Sequence, residues 1–343
     1  MSDTQGKLAC VTGASGFIGT HVVRELLERG QRVRATIRDA SDDQKTAHLR
    51  DLPGADERLE LFSADLMKAG SFDEAVAGCD WVFHIATAVF LNAKDPQREI
   101  IDPAIQGTNN VLDAIEKAGT VKRLGLTSSI AAVQNVTERK DHTYTEDDWC
   151  SDATIKTGPY PLAKVTAEKA VWDRKEKLGF DLTVVNPTLV LGPVMAKVHM
   201  RSSPSALRSI VGGQYPGCPK LAFGLVDVRD VVNALVTGVE TGANGRFILN
   251  KQSMWMREIA QTLKPHYPTL KIRTWPLPNL FMYLAPLFEK RVSRDYLKRN
   301  LGRMDSIDNS KVQRELGLSL HPVEQTLRDT VDSMIERGFL KTR

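Results

Sequence analysis

Three features of the chain predict an α/β fold, a doubly wound parallel sheet with a smaller C-terminal lobe. Apolar strands alternate with amphipathic helices, which implies βαβ units with right-handed crossovers. The first strand runs straight into a glycine-rich turn that opens a helix. The fourth strand, 80–88, is apolar at nearly every position, as a strand covered on both faces must be.

The elements follow in order. Residues 7–13 (KLACVTG) form the first strand. Residues 16–30 carry apolar side chains at 18, 22, 23, 26 and 27, a helical stripe that stops at Gly30. Strands are expected at 31–39, 58–66 and 80–88, then a long helix at 96–119 that could bend at Pro103. Residues 121–133 supply a fifth strand and its exit, and 180–193 a sixth. Residues 202–221 are rich in Ser, Pro and Gly and read as loop; 225–240 return to helical periodicity and 245–250 to a strand. The expected division is a dinucleotide-binding domain of 1–189 with 226–250, and a substrate lobe of 190–225 with 251–343.

Composition narrows the function. The 343 residues, 42% hydrophobic and 26% charged, suit one large globular unit with a lobe. A net charge of +4 with no dense basic cluster argues against nucleic acid. The four cysteines form no C-x-x-C pair, so neither zinc, nor any other metal, nor a redox dithiol is expected. They read as buried hydrophobes in a reducing compartment. The first residues lack an apolar signal region, and a cytoplasmic protein is expected. The apolar run 275–288 carries three prolines and is too short for a membrane span. The basic residues after it would allow a helix at a membrane surface; a lobe helix packed on the main domain is the preferred reading, with no membrane expected.

The glycine turn, Gly13, Gly16 and Gly19, is spaced G-x-x-G-x-x-G between a strand and a helix. That context lets backbone approach a pyrophosphate, with Phe17 and Ile18 in the first helical turn offering free N–H groups. This is a Rossmann-type arrangement. The end of the second strand reports on the ribose. Arg38 offers a planar fork suited to a 2′-phosphate, and Lys45 a second positive charge, so NADP is favoured. Asp39 keeps NAD as the alternative. Asp65 and Leu66, after the third strand, lie where an adenine would sit; a helix N-cap at Asp65 is the bland reading.

Ser128 and Ser129 leave the fifth strand at its carboxyl end, where ligands collect in open parallel sheets. Tyr160 lies between Pro159 and Pro161, residues tolerated in a first helical turn. Lys164 follows one turn on and shares its face. Tyrosine, with a free pKa of about 10, donates a proton near neutrality only if that value falls. A neighbouring ammonium does this. The set suits reduction of a carbonyl.

VTGASGFIGTHVVRELLERGQRVRATIRD, HIATAVF, AIQGTNNVLDAI, LTSSIAAV, YPLAK, VVNPTLVLGP and LVDVRDVV, in that order, give the chain its resemblance to the extended short-chain dehydrogenases/reductases. Within them it is similar to the dihydroflavonol 4-reductase, cinnamoyl-CoA reductase and methylglyoxal (aldehyde) reductase group. The resemblance implies a Ser129–Tyr160–Lys164 triad: Tyr160 as acid/base, Lys164 binding the nicotinamide ribose and tuning it. It implies Ser15, Arg38 and Lys45 near the NADP phosphate, Ala86 and Thr87 lining the cofactor, and Pro187, Thr188 and Val190 flanking the nicotinamide. Val89 and Gln134 would face substrate. Gln134 stands where the plant flavonoid enzymes carry asparagine, and Ala88 where the group has proline, which puts a flavonoid substrate in doubt. His84 reads as structural.

The expected function is an NADPH-dependent reduction of a small ketone or aldehyde. The alternatives are a hydroxysteroid-type alcohol dehydrogenase, an NAD-dependent sugar-nucleotide epimerase or dehydratase, and a non-catalytic NADP-binding regulator. A monomer or a homodimer is expected, the helices 96–119 and 158–178 being the dimer face by family analogy.

Overall fold

The computed structural model describes residues 6–86, 95–278, 297 and 299–342. The strands are β1 (Leu8–Thr12), β2 (Arg32–Ile37), β3 (Leu59–Ser63), β4 (Trp81–His84), β5 (Arg123–Thr127), β6 (Thr143–Tyr144), β7 (Asp181–Pro187), β8 (Leu189–Leu191), β9 (Ala222–Asp227), β10 (Gly245–Leu249), β11 (Gln252–Trp255) and β12 (Ser306–Ile307). The helices are α1 (Phe17–Glu28), α2 (Asp43–Arg50), α3 (Ala55–Arg58), α4 (Asp73–Val76), α5 (Asp102–Ala118), α6 (Pro159–Leu178), α7 (Pro204–Val211), α8 (Val228–Thr241), α9 (Met256–Leu263), α10 (Ser310–Leu316) and α11 (Val323–Glu336).

Seven strands make one parallel sheet in the order β10-β7-β5-β4-β1-β2-β3. Alternation along β1 sets the two faces. Ala9 and Val11 point into a core shared with Val22, Leu26, Val231 and Leu235 of α1 and α8. Cys10 points into the opposite core with Val111, Leu112 and Val171 of α5 and α6. The strand order reverses between β1 and β4, which opens a crevice at their carboxyl ends. A three-stranded sheet, β11-β9-β8, packs its apolar residues into the α1/α8 core, and β12 pairs with β6.

Several elements differ from expectation for identifiable reasons. The fourth strand stops at His84, because the N–H groups of Ile85 and Ala86 turn to the Thr12 hydroxyl, at 3.1 Å each. The expected helix 96–119 opens with a widened turn, Gln97–Ile101, ahead of Pro103, which has no N–H to donate. The expected strand 180–193 is two strands. β7 ends at Pro187, Thr188 donates its N–H to the Leu249 carbonyl (3.0 Å), and β8 pairs with β9 in the other sheet. Residues 202–221, read as loop, contain α7: Pro204 occupies its first turn, and Leu207, Ile210 and Val211 are buried on one face. The segment 225–240 begins as strand; β9 crosses the boundary expected at 225, and Asp227 then caps α8 by accepting the Arg229 N–H at 2.9 Å.

Candidate functional site

Register brings the candidate residues to one edge. Thr12 stands opposite His84, His84 opposite Leu126, and Thr127 opposite Val185. The glycine turn, Ala86 and the Ser128–Ser129 pair therefore leave the sheet side by side.

The glycine turn is built for close backbone approach. Gly13 has φ +68°, and a Cβ there would lie 2.9 Å from the Ala86 Cα. A Cβ on Gly19 would lie 2.2 Å from the Gly13 carbonyl oxygen. Gly16 precedes α1, whose first turn has neither a side-chain cap nor an acidic residue. Its free N–H groups, Phe17 and Ile18 included, point toward the crevice mouth, where an anion is favoured. The Phe17 side chain is core, edge-on to the His21 ring at a centroid distance of 5.5 Å, so Phe17 offers a ligand only its backbone. Ser15 lies in the turn, half-buried.

At the end of β2, Arg38 and Asp39 are exposed. Asp39 is occupied: its Oδ1 accepts from the Ser41 hydroxyl (2.6 Å) and the Ser41 N–H (3.0 Å), which holds its carboxyl below the usual range. Lys45 is ion-paired with Asp42. Arg38 has no ion pair among the described residues. Asp65 caps a turn, accepting the Met67 N–H at 2.9 Å; the next helix is α4, so the N-cap reading fails. Leu66 packs against Gly107 of α5, and its carbonyl accepts the Asn110 amide at 2.6 Å.

His84 is structural. The Thr12 hydroxyl accepts the Ile85 and Ala86 N–H groups, so its one proton goes to His84 Nδ1 at 2.8 Å. Burial first, and then the Lys164 charge, push the imidazole down to about 3. Ala86 closes the β1–β4 mouth; Thr87 and Val89 lie outside the described residues, as does most of the run 275–288.

On the chemical side, Ser129 is extended (φ −164°, ψ 154°) and caps a short helical turn, Ile130–Ala132. Its oxygen accepts the Ala131 N–H at 3.2 Å, which leaves its own proton to donate. Helix α6 begins with Pro159 in its first turn. Lys164 is 7% exposed, its ammonium 6.0 Å from the Tyr160 ring centroid. Neither the Lys164 ammonium nor the Tyr160 hydroxyl has a hydrogen-bond or ion-pair partner among the described residues. Both groups keep their hydrogen-bonding capacity unspent within the chain, so the site fits a ligand that supplies acceptors. Pro187 is buried at the end of β7, and Val190 is core, able to offer only backbone. The Thr188 hydroxyl donates to the Leu249 carbonyl at 3.2 Å.

A pocket of about 190 Å³ opens beside this edge, lined by Ile130, Gln134, Thr188, Leu189, Phe223 and Asp305 among others. Gln134 Nε2 donates to Asp305 (3.0 Å), which is also paired with Arg303 at 2.7 Å. Arg303 also donates from Nη1 and Nη2 to the Val136 and Asn135 carbonyls at 2.7 and 2.9 Å.

Comparison with known proteins identifies the family. Residues 9–250 match the NAD dependent epimerase/dehydratase family. The chain belongs to that family. Among relatives of this member of the epimerase/dehydratase family, a cinnamoyl-CoA reductase of Medicago truncatula is 37% identical, over 98% of both chains. A dihydroflavonol 4-reductase of Arabidopsis thaliana is 34% identical, over 98% of this chain and 85% of its own. Among solved structures, yeast methylglyoxal/isovaleraldehyde reductase complexed with NADPH superposes with a TM-score of 0.79 at 25% identity, covering 97% of this chain and 99% of its own.

Two features of this epimerase/dehydratase family member escaped sequence reasoning. One is the set of side chains behind Ser129: Glu168, Asn186 and Arg246. Its one signal is that Glu168 follows Lys164 by one helical turn. The other is a histidine cluster behind the glycine turn, where Thr20 Oγ1 meets His48 Nε2 and His199 Nε2, each at 3.1 Å. No sequence pattern joins residues so distant. Burial, the leading cause in each, pushes His21 and His199 down to about 3, as it does His84. Such groups stay neutral in the folded protein but gain protons when unfolded, below pH ~6.5. Their contribution to stability is therefore complete above that pH and is lost as pH falls toward about 3. Tm is expected to drop steadily below about pH 6.5; a Tm unchanged down to about pH 5 would contradict the buried neutral assignment.

Among the described residues, no group of three potential ligands could hold a metal ion, and no helix is long and apolar enough to cross a membrane.

Proposed function

We propose that the chain is an NADPH-dependent carbonyl reductase, which converts a ketone or aldehyde to an alcohol with Ser129, Tyr160 and Lys164. The observation that carries this reading is the pair of polar groups on one face of α6 with no partner among the described residues, the Tyr160 hydroxyl and the Lys164 ammonium. They stand beside a serine with a proton to donate, at the same sheet edge as the glycine cradle.

NADPH, when bound, supplies the hydride that reaches the carbonyl carbon. Gly13, Gly16 and Gly19 let its pyrophosphate approach the first turn of α1. Arg38 holds the 2′-phosphate; Asp39 is engaged by Ser41 and Lys45 by Asp42, so the selectivity rests on Arg38. Ser129 donates a hydrogen bond to the substrate oxygen and orients it. Tyr160 gives that oxygen its proton as negative charge develops there. Lys164 binds the nicotinamide ribose from the same face of α6 as Tyr160. The segments 190–225 and 251–343 form the substrate lobe. Gln134, where plant flavonoid enzymes carry an asparagine that holds ring hydroxyls, gives one amide N–H to Asp305; the change of residue favours a substrate that is not a flavonoid.

The test is NADPH oxidation against a panel of aryl ketones, diketones, aldehydes and steroids, with NADH alongside. A clear NADPH preference is expected, larger at low salt because the phosphate site is exposed. Arg38→Ala should raise the KM for NADPH roughly tenfold, the effect of about 1.4 kcal/mol, and leave NADH nearly unaffected. Equal use of the two cofactors by the wild type would return the ribose to Asp39 and the NAD reading.

A further inference from the structure

The helix that carries Tyr160 and Lys164 also carries Glu168, one turn further on and 1% exposed. Its carboxylate is fully engaged. Oε2 accepts from the Ser128 hydroxyl at 2.5 Å and from Asn186 Nδ2 at 2.8 Å; Oε1 accepts from Arg246 Nε at 2.6 Å. These donors come from the exit of β5, from β7 and from β10, three neighbours in the sheet. Arg246 is held in turn. It donates to the carbonyls of Glu146 (2.8 Å) and Asp148 (2.6 Å) and lies 3.8 Å from the Trp149 ring centroid.

A buried ion pair is poor evidence for added stability, since apolar replacements of similar volume often fold as well or better. What it provides here is geometry. Ser129 lies between the end of β5 and the turn at Ile130, in extended backbone that no ladder holds. The bonds that place it are few. The Ser128 N–H donates to the Val185 carbonyl at 2.9 Å, and the Ser129 carbonyl accepts from Ala132 N at 2.9 Å and from Asn186 Nδ2 at 3.2 Å. Glu168 therefore grips Ser129 from both sides, through the Ser128 hydroxyl before it and through the Asn186 amide at its carbonyl.

We propose that Glu168 is a positioning residue for the reduction, acting on Ser129 through Ser128 and Asn186 so that the serine hydroxyl meets the carbonyl oxygen held by the α6 groups. This rests on Ser129 being the hydroxyl that orients the substrate. Misplacement of a reacting group by about 1 Å can cost on the order of 10²-fold in rate.

The experiment is a double-mutant cycle in kcat. Glu168→Gln keeps the shape, removes the charge and turns an amide toward the Asn186 amide. Its kcat should fall by roughly ten- to a hundredfold, with the KM for NADPH unchanged. In a Ser129→Ala background the same change should cost little more, because the residue it acts through is gone. Ser128→Ala breaks one bond without unpairing Arg246. It should show a smaller loss of kcat that also disappears in the Ser129→Ala background, and it carries the test if Glu168→Gln does not fold. Effects that multiply in the cycle would overturn the proposal and leave Glu168 a fold residue. So would unchanged kcat in Ser128→Ala and in folded Glu168→Gln. Tyr160→Phe is the control. Full turnover in that variant would sink the active-site reading itself, whereas its loss together with an additive cycle removes the Glu168 proposal alone.

Discussion

Tyr160→Phe loses turnover by ~10²–10⁴-fold, the usual contribution of a positioned general acid, while NADPH binds as in the wild type. The substitution removes one oxygen, and the Tyr160 hydroxyl has no partner among the described residues, so no neighbour is left unsatisfied and the fold is not disturbed. Steady-state kinetics, with NADPH binding followed by fluorescence titration, check both halves. Retention of most of the activity would show that the proton comes from another group and that the mechanism is wrong.

Lys164→Met loses both turnover and cofactor affinity without losing stability. Lys164 as a residue is 7% exposed, and its ammonium lies 6.0 Å from the Tyr160 ring centroid with no ion pair among the described residues. Its removal therefore breaks no hydrogen bond or ion pair among the described residues of the free protein. Methionine keeps most of its length and can fill the same space. Tm should therefore hold. Loss of a hydrogen bond from a charged group to the ribose costs about 1.5–3 kcal/mol, roughly ten- to a hundredfold in the NADPH dissociation constant. Turnover should fall further, since the ribose that Lys164 would hold carries the nicotinamide to the carbonyl. A large drop in Tm with kcat intact in the folded fraction would make Lys164 a structural residue.

The glycine turn, the strand–helix alternation and the Tyr160–Lys164 pair were readable from local sequence because each is a local constraint. A Cβ at Gly13 or Gly19 collides with backbone, and a tyrosine and a lysine one turn apart share a helix face whatever surrounds them. The misreadings fall where longer contacts decide. Strand β4 ends at His84 because a hydroxyl from β1 captures the next two N–H groups. The apolar run through 180–193 divides because Thr188 bonds to β10 and the following residues find β9. Helix α7 hides in a Ser- and Pro-rich stretch because its stability comes from burying Leu207, Ile210 and Val211 against the shared core, not from propensity.

The site divides in the same way. Residue type and spacing single out Tyr160 and Lys164 and leave Ser128 and Ser129 both open; the family resemblance chooses Ser129 between them. That Asp39 is tied to Ser41 and Lys45 to Asp42, while Arg38 has no ion pair among the described residues, depends on how the chain folds back after β2. That one carboxylate on α6 gathers Ser128, Asn186 and Arg246 from three strands depends on the sheet order β10-β7-β5. Periodicity along the chain records which face of an element is buried; it carries no record of which distant element covers that face, and the hydrogen bonds of a buried polar group are settled only when the covering element arrives.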